Sequence, residues 1–222
     1  MPRPVLRQRP TSWWAFLLAS LPLAGGAGLA VHILAGISLP LAAGVIVLFG
    51  VGVWLLLLPR LRPRVRRQVG VRVGVGALSG AVATVAYDLA RYGAASIFSL
   101  SFQPFHVIRL FGELFLGSGA PVGAAVAVGF LYHLSNGVCF GIVYALVFWR
   151  PGALTGIAWG IALELCMALL YPAWLRIAVL QEFLAVSAAG HVIYGAVLGV
   201  LARRLLDRRA QLDSAPSGGH HG

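Results

Sequence analysis

Charged residues are scarce in this sequence, acidic ones above all, and lysine is absent. Only 10% of the 222 residues are charged, and six Asp and Glu residues stand against 17 arginines, which gives a net charge of +11. Globular proteins carry about 25% charged residues, whereas 59% of this chain is hydrophobic and its mean hydropathy is +0.89. These values exclude an ordinary soluble domain and indicate an integral membrane protein.

Cysteines are also rare, and the motifs of soluble enzymes are missing. Cys139 and Cys166 both lie inside apolar segments, so the disulfide framework of a secreted protein is excluded. The chain contains no phosphate-binding glycine loop, zinc-protease histidine pair or nucleophile elbow. The sequence therefore favours a non-enzymatic role.

Long apolar segments dominate the chain instead. A helix needs roughly 20 apolar residues to cross a hydrocarbon layer about 30 Å thick, and the segments predict an all-α, polytopic membrane protein with six transmembrane helices. The predicted helices cover residues 13–36, 39–58, 69–92, 121–149, 152–172 and 183–202. They form a single transmembrane domain over residues 1–210, embedded in the lipid bilayer, and a disordered tail is predicted at 211–222.

Residues 93–120 connect predicted helices 3 and 4 and are themselves rich in apolar side chains, interleaved with His106, Arg109 and Glu113. From Phe105 onward their spacing fits an amphipathic helix. This predicts an outer loop or helix that lies at the membrane interface. A re-entrant lid over the bundle is the alternative.

The arginines lie at the ends of the apolar segments, which predicts the topology and argues against a nucleic-acid partner. With the N-terminus inside, fourteen arginines are cytoplasmic, and Arg91, Arg109 and Arg176 lie outside. Cytoplasmic loops of membrane proteins are enriched in Lys and Arg. Both termini are therefore predicted to be cytoplasmic.

Predicted helices 3 and 5 share a pattern, and so do helices 4 and 6. In the first two, small residues at four-residue spacing end in a carboxylate; in the other two, a histidine is followed by two glycines at that spacing. The residues are Gly76, Gly80, Thr84 and Asp88; Gly152, Gly156, Gly160 and Glu164; His133, Gly137 and Gly141; and His191, Gly195 and Gly199. Because each set lies on one helix face, the pattern predicts a parallel repeat of two hairpins, helices 3–4 and 5–6. Independent close-packed helices are the alternative.

Ionisable residues within the predicted helices mark the candidate ligand-binding or proton-binding site. The site residues are Asp88, His133, Glu164 and His191, with Asn136 on the same face as His133. Such side chains are costly inside a bilayer and usually mark a site or a paired contact. The helical rise places them in the middle or outer half of the layer, which predicts a polar cavity open to the outside. The alternatives are an ion pair between Asp88 and Arg91 and simple interhelical hydrogen bonds for the others.

These polar residues support three functional hypotheses. The first is the binding or passage of a small solute or of protons. The second is a haem or metal site, with His133 and His191 as axial haem ligands or joined by Glu164 and Asp88 around a metal ion. The third is a structural role, in which the polar groups only fix the pairing of helices. A homo-oligomer or a membrane partner subunit is compatible with each.

Three segments of the second half carry a family resemblance. They are Tyr132-His133 through Tyr144, the helix from Gly156 to Pro172, and Glu182-Phe183 with Gly190-His191 before the terminal arginines. In these segments the C-terminal half resembles the YagU-like family of bacterial inner-membrane proteins, for which no molecular function is established. The resemblance implies a place in a bacterial cytoplasmic membrane and implies no catalytic residue.

Overall fold

The computed structural model describes residues 18–19, 21–101, 106–175 and 180–214, and these residues are helical apart from short connections. The helices are α1 (Ala24–Ala35), α2 (Leu39–Leu57, followed by a 3-10 turn at Leu58–Arg60), α3 (Pro63–Ile97), α4 (His106–Leu116), α5 (Val122–Val147), α6 (Ala153–Leu175) and α7 (Leu180–Ser214).

Five helices in the described part of the chain, α2, α3, α5, α6 and α7, are long and apolar enough to cross a membrane. This agrees with the predicted multi-pass helical membrane protein. α1 has 12 residues and is by itself shorter than a span requires. The first predicted helix began at residue 13, and residues 13–17 and 20 lie outside the described residues.

α3 and α7 extend well beyond their predicted bounds. Each has 35 residues, which corresponds to about 52 Å of rise, against about 30 Å for the hydrocarbon layer. α3 starts at Pro63 because proline is accommodated in a first helical turn. α7 continues through its arginines to Ser214, so residues 211–214 of the predicted disordered tail are helical; residues 215–222 lie outside the described residues.

α3 is the central helix, with α5 on one side and α7 on the other, and α6 packs against α7. α4 lies along α5 so closely that a Cβ at Gly112 would collide with the carbonyl oxygen of Ala125. α1 and α2 form a hairpin at the edge, in close contact at Gly28 and Ala43. Most of the large apolar side chains of α2 are exposed, as expected of a helix that faces lipid.

One end of the bundle, called here the arginine-rich end, contains residues 60–67, which precede and begin α3, and residues 203–209 of α7. The two long helices are joined there by an ion pair, in which Nη2 of Arg67 lies 2.8 Å from Oδ1 of Asp213. The start of α3 and the end of α7 therefore lie at the same end of the molecule.

Arg72 is buried near this end and closes the last turn of α5. Arg72 is 6% exposed. Its Nη1 donates hydrogen bonds to the carbonyl oxygens of Ala145 (2.6 Å) and Phe148 (3.2 Å). The last carbonyls of a helix lack intrahelical partners and carry partial negative charge. A cation from α3 thus stabilises the end of α5 and fixes the two helices relative to each other.

Candidate functional site

Each of two helix pairs holds a histidine against a carboxylate. Between α3 and α5, Nε2 of His133 lies 3.1 Å from Oδ1 of Asp88. Between α6 and α7, Nδ1 of His191 lies 2.7 Å from Oε2 of Glu164. All four side chains are mostly shielded from solvent. The structure therefore brings the four predicted ionisable residues together as two interhelical pairs.

Tyr87 and Ser187 connect the two pairs. The ring of Tyr87 packs against both imidazoles, with centroid distances of 5.7 Å to His133 and 4.9 Å to His191. The hydroxyl of Ser187 donates to Oε2 of Glu164 at 2.8 Å and lies 3.3 Å from the hydroxyl of Tyr87. The polar groups consequently form one cluster that extends across α3, α5, α6 and α7.

Glycines bring the helices close enough for these pairs to form. A Cβ at Gly80 of α3 would lie 2.5 Å from the carbonyl oxygen of Gly137 in α5, and one at Gly156 of α6 would collide with the carbonyl oxygen of Gly195 in α7. Small residues allow such backbone contact between membrane helices. The carboxylates follow the glycines on the same helix faces at four-residue spacing, so close approach of the backbones places them opposite the histidines.

A cavity of about 440 Å³ adjoins this cluster, with walls from α1 and from α3 to α7. His133, Asn136 and His191 line it, whereas most other lining side chains are apolar or aromatic, such as Phe140 and Trp159. The described residues that line it include no carboxylate, because Asp88 and Glu164 face their histidines. The cavity is therefore more apolar than the sequence predicted.

Arg91 borders the cavity, although the sequence predicted it at the outer surface. The residue is 4% exposed, and its guanidinium carbon lies 5.0 Å from the centroid of the Tyr87 ring and 6.0 Å from that of Phe183. Such cation–π contacts stabilise a guanidinium in apolar surroundings. The ion pair between Asp88 and Arg91 was the alternative that the sequence left open, and Asp88 faces His133 on α5.

Two short helices cover the cavity. α4 lines it with Val107, Ile108 and Phe111, so the amphipathic helix predicted within residues 93–120 turns its apolar face to the bundle. α1 lies over the gap between α5 and α6, where Gly26 leaves space for the ring of Phe140. Both helices therefore form part of the wall of the cavity beside the polar cluster.

Tyr87, Arg91 and Ser187 belong to the cluster or the cavity, and the predicted site omitted them. Tyr87 and Arg91 are four residues apart and share a face of α3, which was the available signal that Arg91 points into the bundle. Ser187 stands four residues before His191, also on one face. In each case the sequence shows which residues share a helix face, but it does not show which neighbouring helix that face contacts.

The site contains two imidazole–carboxylate pairs beside an apolar space. Nε2 of His133 is hydrogen-bonded to Asp88, whereas Nδ1 of His191 lies within ion-pair distance of Glu164 and donates a hydrogen bond to the carbonyl oxygen of Ser187. Imidazole binds polar groups and exchanges protons near neutral pH, and Asn136 adds an amide to the wall. Within the described ranges of the chain, no group of three or more His, Cys, Asp and Glu side chains is arranged to hold a metal ion.

Comparison with known proteins adds no assignment to this geometry. No protein-family model matches the chain, and no curated protein or solved structure is detectably similar to it.

Proposed function

We propose that the protein binds a small solute in the cavity between α3, α5, α6 and α7, and that the solute or protons pass the two histidine–carboxylate pairs. The observation that carries the proposal is the cavity of about 440 Å³ beside His133 and His191. Ligand pockets are commonly about 300–1,000 Å³, mostly apolar, with a few convergent polar groups. Ionisable residues within membrane helices usually serve a function.

The topology in this proposal has six spans with both termini in the cytoplasm. Its support comes from Leu18, whose carbonyl accepts a hydrogen bond of 2.7 Å from Nε1 of Trp54. Leu18 also packs with Val69 and Leu146 near the arginine-rich end. Leu18 thus lies beside the end of α2, whereas the close contact of Gly28 with Ala43 lies near the start of α2. This antiparallel arrangement is the one that a sixth span would have. Arginine enrichment is typical of the cytoplasmic side.

The proposal also treats the hairpins α3–α5 and α6–α7 as a repeat. The same number of residues separates Gly80 from Gly156 as separates Asp88 from Glu164. A second separation relates His133 to His191, and it also relates Gly137 to Gly195. The glycine contacts and the histidine–carboxylate contacts recur in the same order in both hairpins. α4 interrupts the first hairpin only.

A bacterial inner-membrane location follows from the resemblance of the C-terminal half to the YagU-like family, and it stays a prediction. A homo-oligomer or a complex with a membrane partner subunit also stays a prediction. α2 would be the exposed helix available for either, since its apolar side chains lie on the outside of the bundle.

The test uses the full chain, purified and reconstituted in vesicles, with a panel of small solutes and a pH-sensitive dye. A bound solute should raise the unfolding temperature, and uptake should be measurable. Glu164→Gln and His133→Ala each disrupt one pair and should lower apparent affinity or flux at least about tenfold, equivalent to about 1.4 kcal/mol. Arg109→Gln is the matched control, because Arg109 is exposed and pairs with Glu113 outside the cavity.

The transport and binding proposal fails if both variants leave uptake and solute-induced stabilisation unchanged across the panel. A Soret band that disappears in His133→Ala or His191→Ala would favour the haem hypothesis instead. If all these substitutions change stability alone, the structural hypothesis takes precedence.

A further inference from the structure

The two repeat-related helices line the cavity with different chemistry. α3 contributes Tyr87 and Arg91, and the same offset that pairs Asp88 with Glu164 pairs these residues with Leu163 and Met167 of α6, which also line the cavity. The α3 wall therefore carries a hydroxyl and a guanidinium at the positions where the α6 wall carries apolar side chains. A ligand that satisfies both walls has a polar part and an apolar part.

Building on the proposed function, we propose that the cavity binds a small amphipathic anion, with its carboxylate at Arg91 and its apolar body along α6. The guanidinium is the charged group among the described lining residues. It presents five N–H donors in a planar fork that matches a carboxylate. With that many donors, Arg91 can bind an anion while it keeps its contacts with Tyr87 and Phe183.

The length and direction of the cavity agree with such a ligand. Its α6 wall extends from Trp159 to Leu170, a rise of about 16 Å. Arg91 lies further from the arginine-rich end than Asp88 does, close to Phe183 at the start of α7. The charged head would thus lie near one membrane surface and the body would reach towards the middle, which is the orientation of an amphiphile in a leaflet.

Cys166 offers a direct readout of occupancy, because its side chain is exposed and lines the cavity. The background is Cys139→Ser, which leaves a single thiol in the full chain. The probes are decanoate, decanol and decylamine below their micelle concentrations, since they share a tail and differ in the charge of the head. Labelling of Cys166 by a small maleimide and the unfolding temperature are measured against probe concentration.

Decanoate should protect Cys166 and stabilise the protein at concentrations about tenfold lower than decanol or decylamine, equivalent to about 1.4 kcal/mol. Arg91→Gln should abolish this preference while decanol binding persists. Arg91→Lys should retain part of it, and Arg109→Gln should retain all of it. If Arg91→Gln does not fold, the probe series on the unsubstituted arginine still decides.

Equal protection by all three probes, or the strongest protection by decylamine, overturns the inference and leaves the proposed function standing. Protection by none of them, together with no effect across the solute panel, overturns both. The series is repeated in nanodiscs of phosphatidylcholine with and without phosphatidylglycerol. Weaker protection by decanoate in the anionic nanodiscs would identify a bilayer lipid as the source of the anion, and unchanged protection would identify a free solute.

Discussion

Two glycines on α3 predict opposite effects of the same substitution. Gly80 lies against α5, where a Cβ would stand 2.5 Å from the carbonyl oxygen of Gly137 and 3.1 Å from the Cα of Gly141. Gly74 is exposed, and a Cβ there would meet nothing within 4 Å. Gly80→Ala and Gly74→Ala add the same methyl group to the same helix. They differ only in the space that surrounds the added methyl group.

The expected magnitudes follow from helix propensity and from the space around each Cβ. Alanine in a helix interior is more stable than glycine by about 0.5–1 kcal/mol, so Gly74→Ala should be neutral to stabilising by that amount. At Gly80 the helices must separate, and overpacking a well-packed contact costs about 1–3 kcal/mol. Gly80→Ala should therefore destabilise the protein by about 0–2.5 kcal/mol after the propensity gain is subtracted.

The assay is reversible unfolding in mixed micelles, followed by circular dichroism, on both variants and the unsubstituted protein. Solute-induced stabilisation is measured alongside, because separation of α3 from α5 should also move His133 away from Asp88. A Gly80→Ala variant that is as stable as Gly74→Ala would refute the claim that backbone contact between these helices holds the site together.

Two further substitutions test single contacts. The hydroxyl of Tyr194 donates to the carbonyl oxygen of Gly137 at 2.7 Å; Tyr194→Phe should lower the free energy of unfolding by about 0.5–1.5 kcal/mol, and no change would mean that the contact is replaced by another donor. Arg67 pairs with Asp213 across the two long helices, but its side chain is 74% exposed. Arg67→Glu should therefore cost less than about 1 kcal/mol, less still in high salt, and a larger loss would show that the two helix ends depend on this pair.

Much of the fold was predictable because apolar runs of membrane length have few structural solutions. The helix ends were less predictable. Polar arginines were taken to end a span, yet arginine is a good helix former, and α7 runs on to Ser214. A helix can continue beyond the end of its hydrophobic segment. The sequence shows where the hydrophobic segment ends more directly than where the helix ends.

The candidate site was predictable in its residues and not in its contacts. Asp88 and His133 were identified from their cost inside a bilayer, which is a property of each residue alone. Their pairing depends on how closely α3 and α5 approach, which is decided by three-dimensional packing. Arg91 was assigned to the surface from its position near a helix end. Arg91 is buried because its face of α3 packs towards α7. The positions of charged residues along the sequence do not show which helix face is packed.

The ion pair between Arg67 and Asp213 has a mechanical consequence. α3 and α7 both border the cavity, and each is about 20 Å longer than the hydrocarbon layer of a membrane is thick. About 36 Å of helix separate Tyr87 at the cavity from Pro63 at the tip of α3, so a tilt of roughly 10° at the level of the cavity would move that tip by roughly 6 Å. A rearrangement around the buried histidines that tilts α3 or α7 would therefore also move their arginine-rich ends, where Arg67 and Asp213 form an ion pair.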